Sequence, residues 1–449
     1  MFRTVLVANR GEIARRVFRG CRALGLSTVA VYSEADRDAP HVKDADRAVL
    51  LGPAPPRESY LSVERILAAA RESGADAVHP GYGFLSENWR FAEACAQGGL
   101  TFIGPSAEAI RAMGDKPEAR RRMAAAGVPI VPGSSEPVAD AVAAGRVAGE
   151  IGYPVILKAA AGGGGIGMAK VTSAGELAGA FATATRRAQS AFGSGQVYVE
   201  RYLEAPRHVE VQVFGDTKGS VVHLHERECS IQRRHQKLVE ESPAPNLETK
   251  TKRGLTDAAV AGARAIGYVN AGTLEFLVDP QGGFYFLEMN TRLQVEHPVT
   301  EEVTGLDLVA AQLRVAAGEP LPFSQDEVEQ RGAAIEVRVY AEDPAKNFLP
   351  SPGTITRLAL PGGGEGIRVE SGVVEGSVVS VHYDPLLFKL IALGADRTGA
   401  IERLARALDA CVVEGVKTTL PLLRTIAAHP DFRRGRVHTQ MVEQGAFHG

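Results

Sequence analysis

The sequence of 449 residues is too long for one small hydrophobic core, so we expect two to four sub-domains. Its hydrophobic content of 45%, its charged content of 23% and its formal net charge of −3 are typical of a soluble globular protein and give no sign of a nucleic-acid partner. No apolar run approaches the roughly 20 residues that span a membrane, the N-terminus lacks the apolar core of a signal peptide, and four widely spaced cysteines favour reduced thiols in a cytoplasmic protein.

Strands alternate with helices over residues 1–114. Apolar residues at helical spacing predict a helix at 13–24. Short apolar runs predict strands at residues 4–8, 28–32, 77–79 and 101–103. Such alternation predicts a parallel, doubly wound sheet. The dinucleotide motif G-x-G-x-x-G is missing after the first strand, which excludes an NAD site of that type.

The loop HPGYGFLSEN, residues 79–88, follows the carboxyl end of a predicted strand. Ligands bind at that edge of open α/β sheets. Its glycines allow a tight backbone, and Tyr82 is placed to present an aromatic ring to a cleft. The alternative is a loop that is only a structural turn.

A glycine-rich loop begins after a predicted strand at 154–158. The loop AAAGGGGIGM does not fit the G-x-x-x-x-G-K-[ST] pattern, but its bare N–H groups favour an anion nest beside Lys158. Lys116, before an arginine-rich helix, is by itself an ordinary surface lysine. A mobile surface loop with an incidental lysine is the alternative for Lys158.

Paired strands are predicted at 207–214 and 220–226, after another strand at 196–203. In this pairing His208 faces inward, either as a core residue or as a ligand. The run ERECSIQRRHQK follows and is dense in hydrogen-bond donors, as a site for an anionic substrate requires. A solvated basic face is the alternative, and we interpret Cys229 within the run as a small filler.

A β-hairpin is predicted for residues 272–289, with a turn at 279–283. If the turn is centred between Gln281 and Gly282, Glu275 lies opposite Glu288. Directly opposed residues have Cβ atoms about 5 Å apart, so their carboxylates repel unless a cation lies between them. Mg²⁺ is the usual cation at such a site.

Polar residues alternate after the hairpin, at Glu288, Asn290, Arg292, Gln294 and Glu296. An extended chain would place all five on one face. We interpret this face as a metal and oxyanion site, with a half-solvated strand as the alternative.

The last part of the chain, residues 330–446, combines short strands with helices that begin near residues 397 and 418. A strand at 333–342 carries Arg338 among apolar neighbours. This arginine is either buried with an anionic partner or exposed on an edge. Two further helices are predicted at 251–266 and 306–317.

The segment EMNTRLQVEHPVTE resembles the signature of biotin carboxylases, ATP-grasp enzymes that carboxylate protein-bound biotin. HPGYGFLSEN and the CS-x-QRRHQK segment resemble two further motifs of that family, and the resemblance covers essentially the whole chain. It implies an N-terminal Rossmann-like domain at 1–114, an ATP-grasp domain at 115–320 with a lid at about 131–203, and a C-terminal domain at 330–446 in which a mixed sheet packs with helices.

The resemblance also implies roles for individual residues. Those implied for ATP are Lys116, Lys158, Gly163, Gly164, Gly165, Glu200, Arg201, Leu203, His208, Gln232, His235, Glu275, Leu277, Glu288 and Val437. Those implied for Mg²⁺ or Mn²⁺ are Glu275, Glu288 and Asn290. Those implied for bicarbonate are Lys237, Arg292, Gln294, Val295 and Glu296, with Glu296 as general base. Tyr82 is implied to line the substrate site. Arg338 is implied to contact biotin and to stabilise its enolate.

The implied reaction is ATP-dependent carboxylation of biotin by way of carboxyphosphate. No methionine here precedes a lysine and the chain ends soon after its last globular element, so we expect the biotin carrier and the carboxyltransferase on separate chains, and a homodimer. Acetyl-CoA carboxylase is the simplest assignment, with propionyl-CoA, other acyl-CoA and pyruvate carboxylases as alternatives. Another ATP-grasp ligase and an ATP-binding subunit without catalysis also stay open; Ile166 and a shortened glycine run, where the family has a basic residue and a longer run, favour the latter.

Overall fold

The computed structural model describes residues 2–159, 168–364 and 366–447. The predicted loop residues Gly163, Gly164 and Gly165 therefore lie outside the described residues, as does Ile166. Within the described ranges, no helix is both long enough and apolar enough to cross a membrane.

The N-terminal segment is a five-stranded parallel sheet with the order β3-β2-β1-β4-β5, as predicted. Its strands are β1 (Thr4–Val7), β2 (Ser27–Ser33), β3 (Arg47–Gly52), β4 (Ala77–His79) and β5 (Thr101–Phe102). Its helices are α1 (Gly11–Ala23), α2 (Pro40–Asp44), α3 (Val63–Ser73), α4 (Trp89–Gln97) and α5 (Ala107–Gly114). The strand order reverses at β1 and β4, so the loops after these strands face each other at the edge where ligands bind. The edge strand β3 was not predicted, because most of its residues are exposed or half-buried.

The lid segment has its own small antiparallel sheet, with the order β7-β6-β8. Its core is formed by aliphatic side chains such as Val155, Leu157 and Val199. The segment and the helix before it comprise α6 (Lys116–Ala125), α7 (Ala141–Ile151), β6 (Val155–Ala159), β7 (Ala169–Val171), α8 (Ala174–Phe192) and β8 (Val197–Arg201).

One eight-stranded sheet runs through the rest of the protein, with the order β13-β12-β9-β10-β11-β14-β21-β19. The predicted pairing of the two strands around His208 is confirmed, and the second strand extends through the basic run to Arg233. The central elements are β9 (Arg207–Gly215), β10 (Val221–Arg233), β11 (Gln236–Ser242), α9 (Thr249–Ala265), β12 (Asn270–Val278), β13 (Phe284–Asn290), α10 (His297–Thr304) and α11 (Leu308–Ala316).

The third segment continues the same sheet, since β14 pairs with β11 and then with β21. The sheet predicted here as mixed is antiparallel in each of these pairings and in that of β19 with β21. The strands are β14 (Ala333–Tyr340), β15 (Glu342–Asp343), β16 (Leu349–Pro350), β17 (Gly353–Thr354), β18 (Arg357–Ala359), β19 (Ile367–Ser371), β20 (Val378–Val379), β21 (Leu386–Gly394) and β22 (Val412–Glu414). The helices are α12 (Arg397–Ala410), α13 (Leu420–Ala428) and α14 (Pro430–Arg433). The sheet therefore crosses the predicted limit between the second and third domains, and side chains from both meet on one face.

Candidate active site

The hairpin of β12 and β13 places Glu275 opposite Glu288, as predicted. The turn is centred on Gln281, half a residue from its predicted position, because the N–H of Asp279 donates to the carbonyl of Gly283 at 2.8 Å. A register shift next to Glu275 adds one residue to β13 and restores the expected pairing. A β-bulge of this kind re-aims side chains beside functional sites. Leu287, next to the bulge, is exposed.

The two opposed carboxylates fit a divalent cation. Burial raises the pKa of Glu288, and the negative charge of Glu275 raises it further. Such like-charge strain is what a bound cation relieves. The side-chain amide of Asn290 donates to Glu275 at 2.9 Å, which places the Asn290 amide group next to the same carboxylate. Two carboxylates and an amide are oxygen ligands of the type that Mg²⁺ prefers.

Lys237 connects three buried carboxylates. Its Nζ lies 2.5 Å from Glu210, 2.8 Å from Glu275 and 2.6 Å from Glu296. Burial alone would lower the pKa of Lys237, but the three carboxylates outweigh burial and hold that pKa well above its usual value.

Two further acidic clusters have metal-ligand spacing, one with His208 and one with Cys229. Both include Glu210, whose two carboxylate oxygens are already paired with Arg227 and Lys237, so they are poor cation sites.

Glu296 lies between two cations. Its second oxygen accepts a hydrogen bond from Nη2 of Arg338 at 2.8 Å, while its first faces Lys237. Burial would raise the pKa of Glu296, but Lys237 and Arg338 hold it well below the usual value, so this carboxyl group is ionised. Arg338 is buried, which excludes the edge position, and it also pairs with Glu240 at 2.5 Å.

The predicted alternation after Glu288 is wrong as backbone structure, yet its polar residues converge. β13 ends at Asn290, and Glu296 is the N-terminal cap of α10. Between them the chain curls back, so that Arg292 donates to the side chains of Asn290 at 2.8 Å and Gln294 at 2.9 Å. Gln294 in turn donates to Glu275 at 3.1 Å. A proline at the start of the next helix, Pro298, was the sequence signal against a long strand.

Several residues of this site were not predicted. Arg227 is fully buried and pairs with Glu210 at 2.6 Å. Glu87, from the loop after β4, accepts hydrogen bonds from the Arg292 side chain at 3.0 Å and from the backbone of Thr291. The inward-facing spacing of His208 and Glu210 on one strand could have indicated Glu210 from the sequence. Glu87 carried no such signal, because its partner lies about two hundred positions away in sequence.

Three of the residues predicted to bind the nucleotide lie on strands next to members of the carboxylate cluster. Nε2 of His208 lies 3.1 Å from Glu275, Leu277 pairs with His208 across two strands, and Gln232 pairs with Lys237. The charge of Lys116, which is itself exposed, acts on Glu288. Val437 is buried next to a concave surface that Arg207 and Met441 also line.

The lid residues are already paired with one another. Lys158 and Arg120 both form ion pairs with Glu200, at 2.5 Å and 2.9 Å. Arg201 is exposed and donates to a backbone carbonyl, and Leu203 is half-buried. His235 lies at the exposed turn between β10 and β11. These contacts involve residues outside the carboxylate cluster, so the contacts predicted for this group with a nucleotide stay predictions.

Two predicted residues meet at the junction of the three segments. The hydroxyl of Tyr82 donates to the carboxylate of Glu12. The backbone carbonyl of Val295 accepts a hydrogen bond from the buried Lys389 at 2.6 Å. Glu12 lies 3.3 Å from the same ammonium group, so Tyr82 and Val295 are linked through two charged side chains that were not predicted.

Known proteins resemble the chain along its whole length. The family model described as "Biotin carboxylase, N-terminal domain" matches residues 1–110, "Carbamoyl-phosphate synthase L chain, ATP binding domain" matches 115–324, and "Biotin carboxylase C-terminal domain" matches 336–444. Biotin carboxylase 2 of Bacillus subtilis is 56% identical over 444 residues, which cover 99% of this chain and 100% of that protein. A pyruvate carboxylase subunit of Methanothermobacter thermautotrophicus is 52% identical over 99% of this chain and 90% of its own length.

A solved structure shows the same similarity. The biotin carboxylase domain dimer of Hydrogenobacter thermophilus 2-oxoglutarate carboxylase, in complex with MgADP, ADP and bicarbonate, superposes with a TM-score of 0.91. It is 49% identical in sequence, and the match covers 99% of this chain and 98% of that one.

Proposed function

The chain belongs to the biotin carboxylase family, and from that membership we propose that it performs the first half-reaction of an acyl-CoA carboxylase, most simply acetyl-CoA carboxylase. It is an ATP-dependent ligase that uses Mg²⁺ and carboxylates biotin carried on a partner. Pyruvate, propionyl-CoA and other acyl-CoA carboxylases are the alternatives.

The convergence of Lys237 on Glu210, Glu275 and Glu296 is the observation that carries the proposed mechanism. The three carboxylates hold the Lys237 ammonium at a fixed position, where it can bind an anion. In the proposed complex bicarbonate contacts this ammonium, and the forked side chain of Arg292 matches two of the bicarbonate oxygens. Gln294 and the backbone of Val295 complete this pocket.

Glu296 is the proposed general base. Its low pKa in the free protein keeps it ionised but makes it a weak base. Lys237 and Arg338 lower the pKa of Glu296 here, and an ionised carboxylate is the form that accepts a proton. Bound bicarbonate competes with Glu296 for Lys237, so Lys237 lowers the pKa of Glu296 less. Glu296 therefore becomes a stronger base only when substrate is present. The proton of bicarbonate then passes to Glu296.

The nucleotide and cation are proposed to lie on the β12–β13 side of the cluster. Glu275, Glu288 and Asn290 would hold Mg²⁺, which neutralises charge on the transferring phosphoryl group. Lys116, Lys158 and His208 would contact the phosphates. Glu200, Arg201, Leu203, Gln232, His235, Leu277 and Val437 would line the rest of the nucleotide site. Lys158 is paired with Glu200 here, so ATP binding requires it to exchange partners.

Attack of a bicarbonate oxygen on the γ-phosphate gives carboxyphosphate and ADP. Carboxyphosphate breaks to CO₂ and phosphate, and phosphate takes the N1′ proton of biotin. Arg338, already aimed into the site by Glu296 and Glu240, stabilises the biotin enolate as it forms. Tyr82 is proposed to line the substrate site.

We propose a cytoplasmic homodimer that works with a biotin carrier and a carboxyltransferase on separate chains. The dimer in the structure of the H. thermophilus domain supports the proposed homodimer. A carbamoyl-phosphate synthase receives less support, because the models that match on both sides of the ATP-binding region are those of biotin carboxylases.

Bicarbonate-dependent ATP hydrolysis by the purified chain tests the half-reaction. We expect ADP release that requires bicarbonate and rises with free biotin; turnover supported by a different acceptor would exclude biotin as the substrate.

The acceptor assignment is tested by adding labelled bicarbonate to the chain co-purified with its carrier and carboxyltransferase, and supplying acetyl-CoA, propionyl-CoA or pyruvate. Label transfer to acetyl-CoA above the others supports the proposal, and transfer to pyruvate alone contradicts it.

A further inference from the structure

Lys389 is a buried cation that the reaction described above does not use. It lies on β21 of the third segment and is fully buried. Its Nζ donates to the backbone carbonyl of Val295 at 2.6 Å and lies 3.3 Å from the Glu12 carboxylate. The ammonium also lies 5.9 Å from the centre of the Tyr82 ring. One side chain therefore contacts all three segments of the protein where the bicarbonate and biotin sites meet.

The contact with Val295 acts on backbone that the bicarbonate pocket needs. The carbonyl of Val295 belongs to the peptide group that leads into Glu296, the cap residue of α10. A charged hydrogen bond to this carbonyl fixes the plane of the peptide group, and with it the positions of the Val295 backbone and the Glu296 side chain. A peptide group outside a regular element has few other constraints on its orientation.

Glu12 holds the ammonium in place from the opposite side. Its carboxylate is buried at the start of α1, next to the strand-order reversal of the N-terminal sheet. It also accepts the hydrogen bond from Tyr82. The contacts thus form one continuous path from Tyr82 through Glu12 and Lys389 to Val295.

We propose that Lys389 is a positioning residue for bicarbonate, which orients the Val295–Glu296 peptide group and is itself fixed by Glu12. This inference rests on the proposed function, because it takes Val295 and Glu296 to form the bicarbonate pocket. It adds two residues from outside the ATP-grasp segment to the apparatus of that pocket. It also explains why a buried lysine occurs where an apolar residue would pack at no electrostatic cost.

Steady-state kinetics of three variants test the proposal. Lys389→Met removes the ammonium group and keeps an unbranched side chain. Glu12→Gln keeps the size of the side chain and an oxygen for Tyr82, but removes the charge that fixes Lys389. The matched control is Arg397→Met. Arg397 also ties a buried carboxylate, Glu241, and the backbone carbonyls of Phe432 and Arg433, and its recorded contacts include neither Val295 nor Glu296.

For Lys389→Met we expect the KM for bicarbonate to rise about tenfold, as the loss of a charged hydrogen bond would produce, while the KM for ATP stays within about twofold. Nucleotide affinity measured by calorimetry without turnover should also be unchanged. Glu12→Gln should raise the bicarbonate KM by about threefold, and Arg397→Met should lower the thermal midpoint without changing either KM.

The proposal fails if the bicarbonate KM of both site variants equals that of the native protein, or if the KM values for ATP and bicarbonate rise together. If Lys389→Met does not yield folded protein, Glu12→Gln decides alone by the same criterion. A native protein without bicarbonate-dependent ATP hydrolysis would instead overturn the proposed function, before any variant is compared.

Discussion

Replacement of Lys237 by methionine tests whether one ammonium group keeps a set of buried carboxylates ionised. In the native protein the Lys237 Nζ lies within 2.8 Å of an oxygen of Glu210, Glu275 and Glu296. Removing one partner of a buried ion pair costs about 3 to 5 kcal/mol, because the other charge stays buried without compensation. Since three carboxylates share this partner, we expect the loss of unfolding free energy near neutral pH to lie at the upper end of that range.

The pH dependence of stability should also change sign. In the native protein the pKa values of Glu275 and Glu296 are lowered although burial acts to raise them, and Lys237 is the strongest opposing influence. Their contribution to stability is therefore present above the pKa of an unfolded glutamate and is lost as the pH falls through the lower folded value. Without Lys237, only Arg338 and Arg227 still oppose burial at Glu296, and only His208 at Glu275. We expect burial to prevail and to raise both pKa values above the unfolded one. The folded variant then binds more protons than its unfolded chain, and its stability falls as the pH rises, by about 1.4 kcal/mol per pH unit for each proton.

Thermal unfolding of the two proteins between about pH 5.5 and 8, without Mg²⁺ or nucleotide, measures both effects; the window lies above the pKa of an unfolded glutamate. The control is Lys170→Met, because the ammonium of Lys170 pairs at 3.0 Å with the exposed Glu204 and should contribute little. We expect a midpoint for Lys237→Met that rises as the pH is lowered, and a control that follows the native curve. A Lys237→Met protein with the native midpoint and the native pH slope would refute the assignment of Lys237 as the shared partner.

Three further predictions follow from single residues. Glu288→Gln removes one of two opposed carboxylates, so the Mg²⁺ concentration for half-maximal ATP hydrolysis should rise at least about tenfold, while the thermal midpoint without Mg²⁺ should not fall. Arg338→Met should keep bicarbonate-dependent ATP hydrolysis within a few fold but lower carboxylation of free biotin by about 10² to 10³, the usual effect of losing an oxyanion donor; equal losses in both assays would contradict its role. Burial and the nearby Glu210 raise the pKa of Cys229 well above its usual value, so Cys229→Ser should leave kcat nearly unchanged and iodoacetamide should not inactivate the folded protein at about pH 8.

The sequence predicts the fold where elements are long and their patterns are regular. The alternating segments of residues 1–114 gave the parallel sheet, and the turn residues at 279–283 gave the hairpin of Glu275 and Glu288. The hairpin pairing was correct even though the turn centre was not, because a bulge compensated for the shift. A bulge depends on tertiary contacts of both strands, so local sequence does not indicate it.

The charged partners of the site were harder to predict than its ligands. Glu210, Arg227 and Glu240 act through residues that are distant in sequence, and each looks in isolation like an ordinary strand residue. Lys389 lies more than ninety positions from Val295, and its partner Glu12 lies at the other end of the chain. The roles of the residues that lie on the sheet follow only from the strand order, which brings β9, β10, β11, β14 and β21 together in one sheet.

That strand order separates the parts of the site that are fixed from the part that is free to move. The carboxylate cluster, Arg338 and Lys389 all lie on or beside one continuous eight-stranded sheet, so the limit between the second and third segments is bridged by backbone hydrogen bonds. Closure between these two segments would break the pairing of β11 with β14. The lid has its own sheet, and its Lys158 is held by Glu200 rather than by the cluster. We therefore expect motion during the proposed reaction to involve the lid and the nucleotide. The charges proposed to activate bicarbonate and to stabilise the enolate would then stay pre-organised, which is the condition under which electrostatic stabilisation of a transition state is most effective.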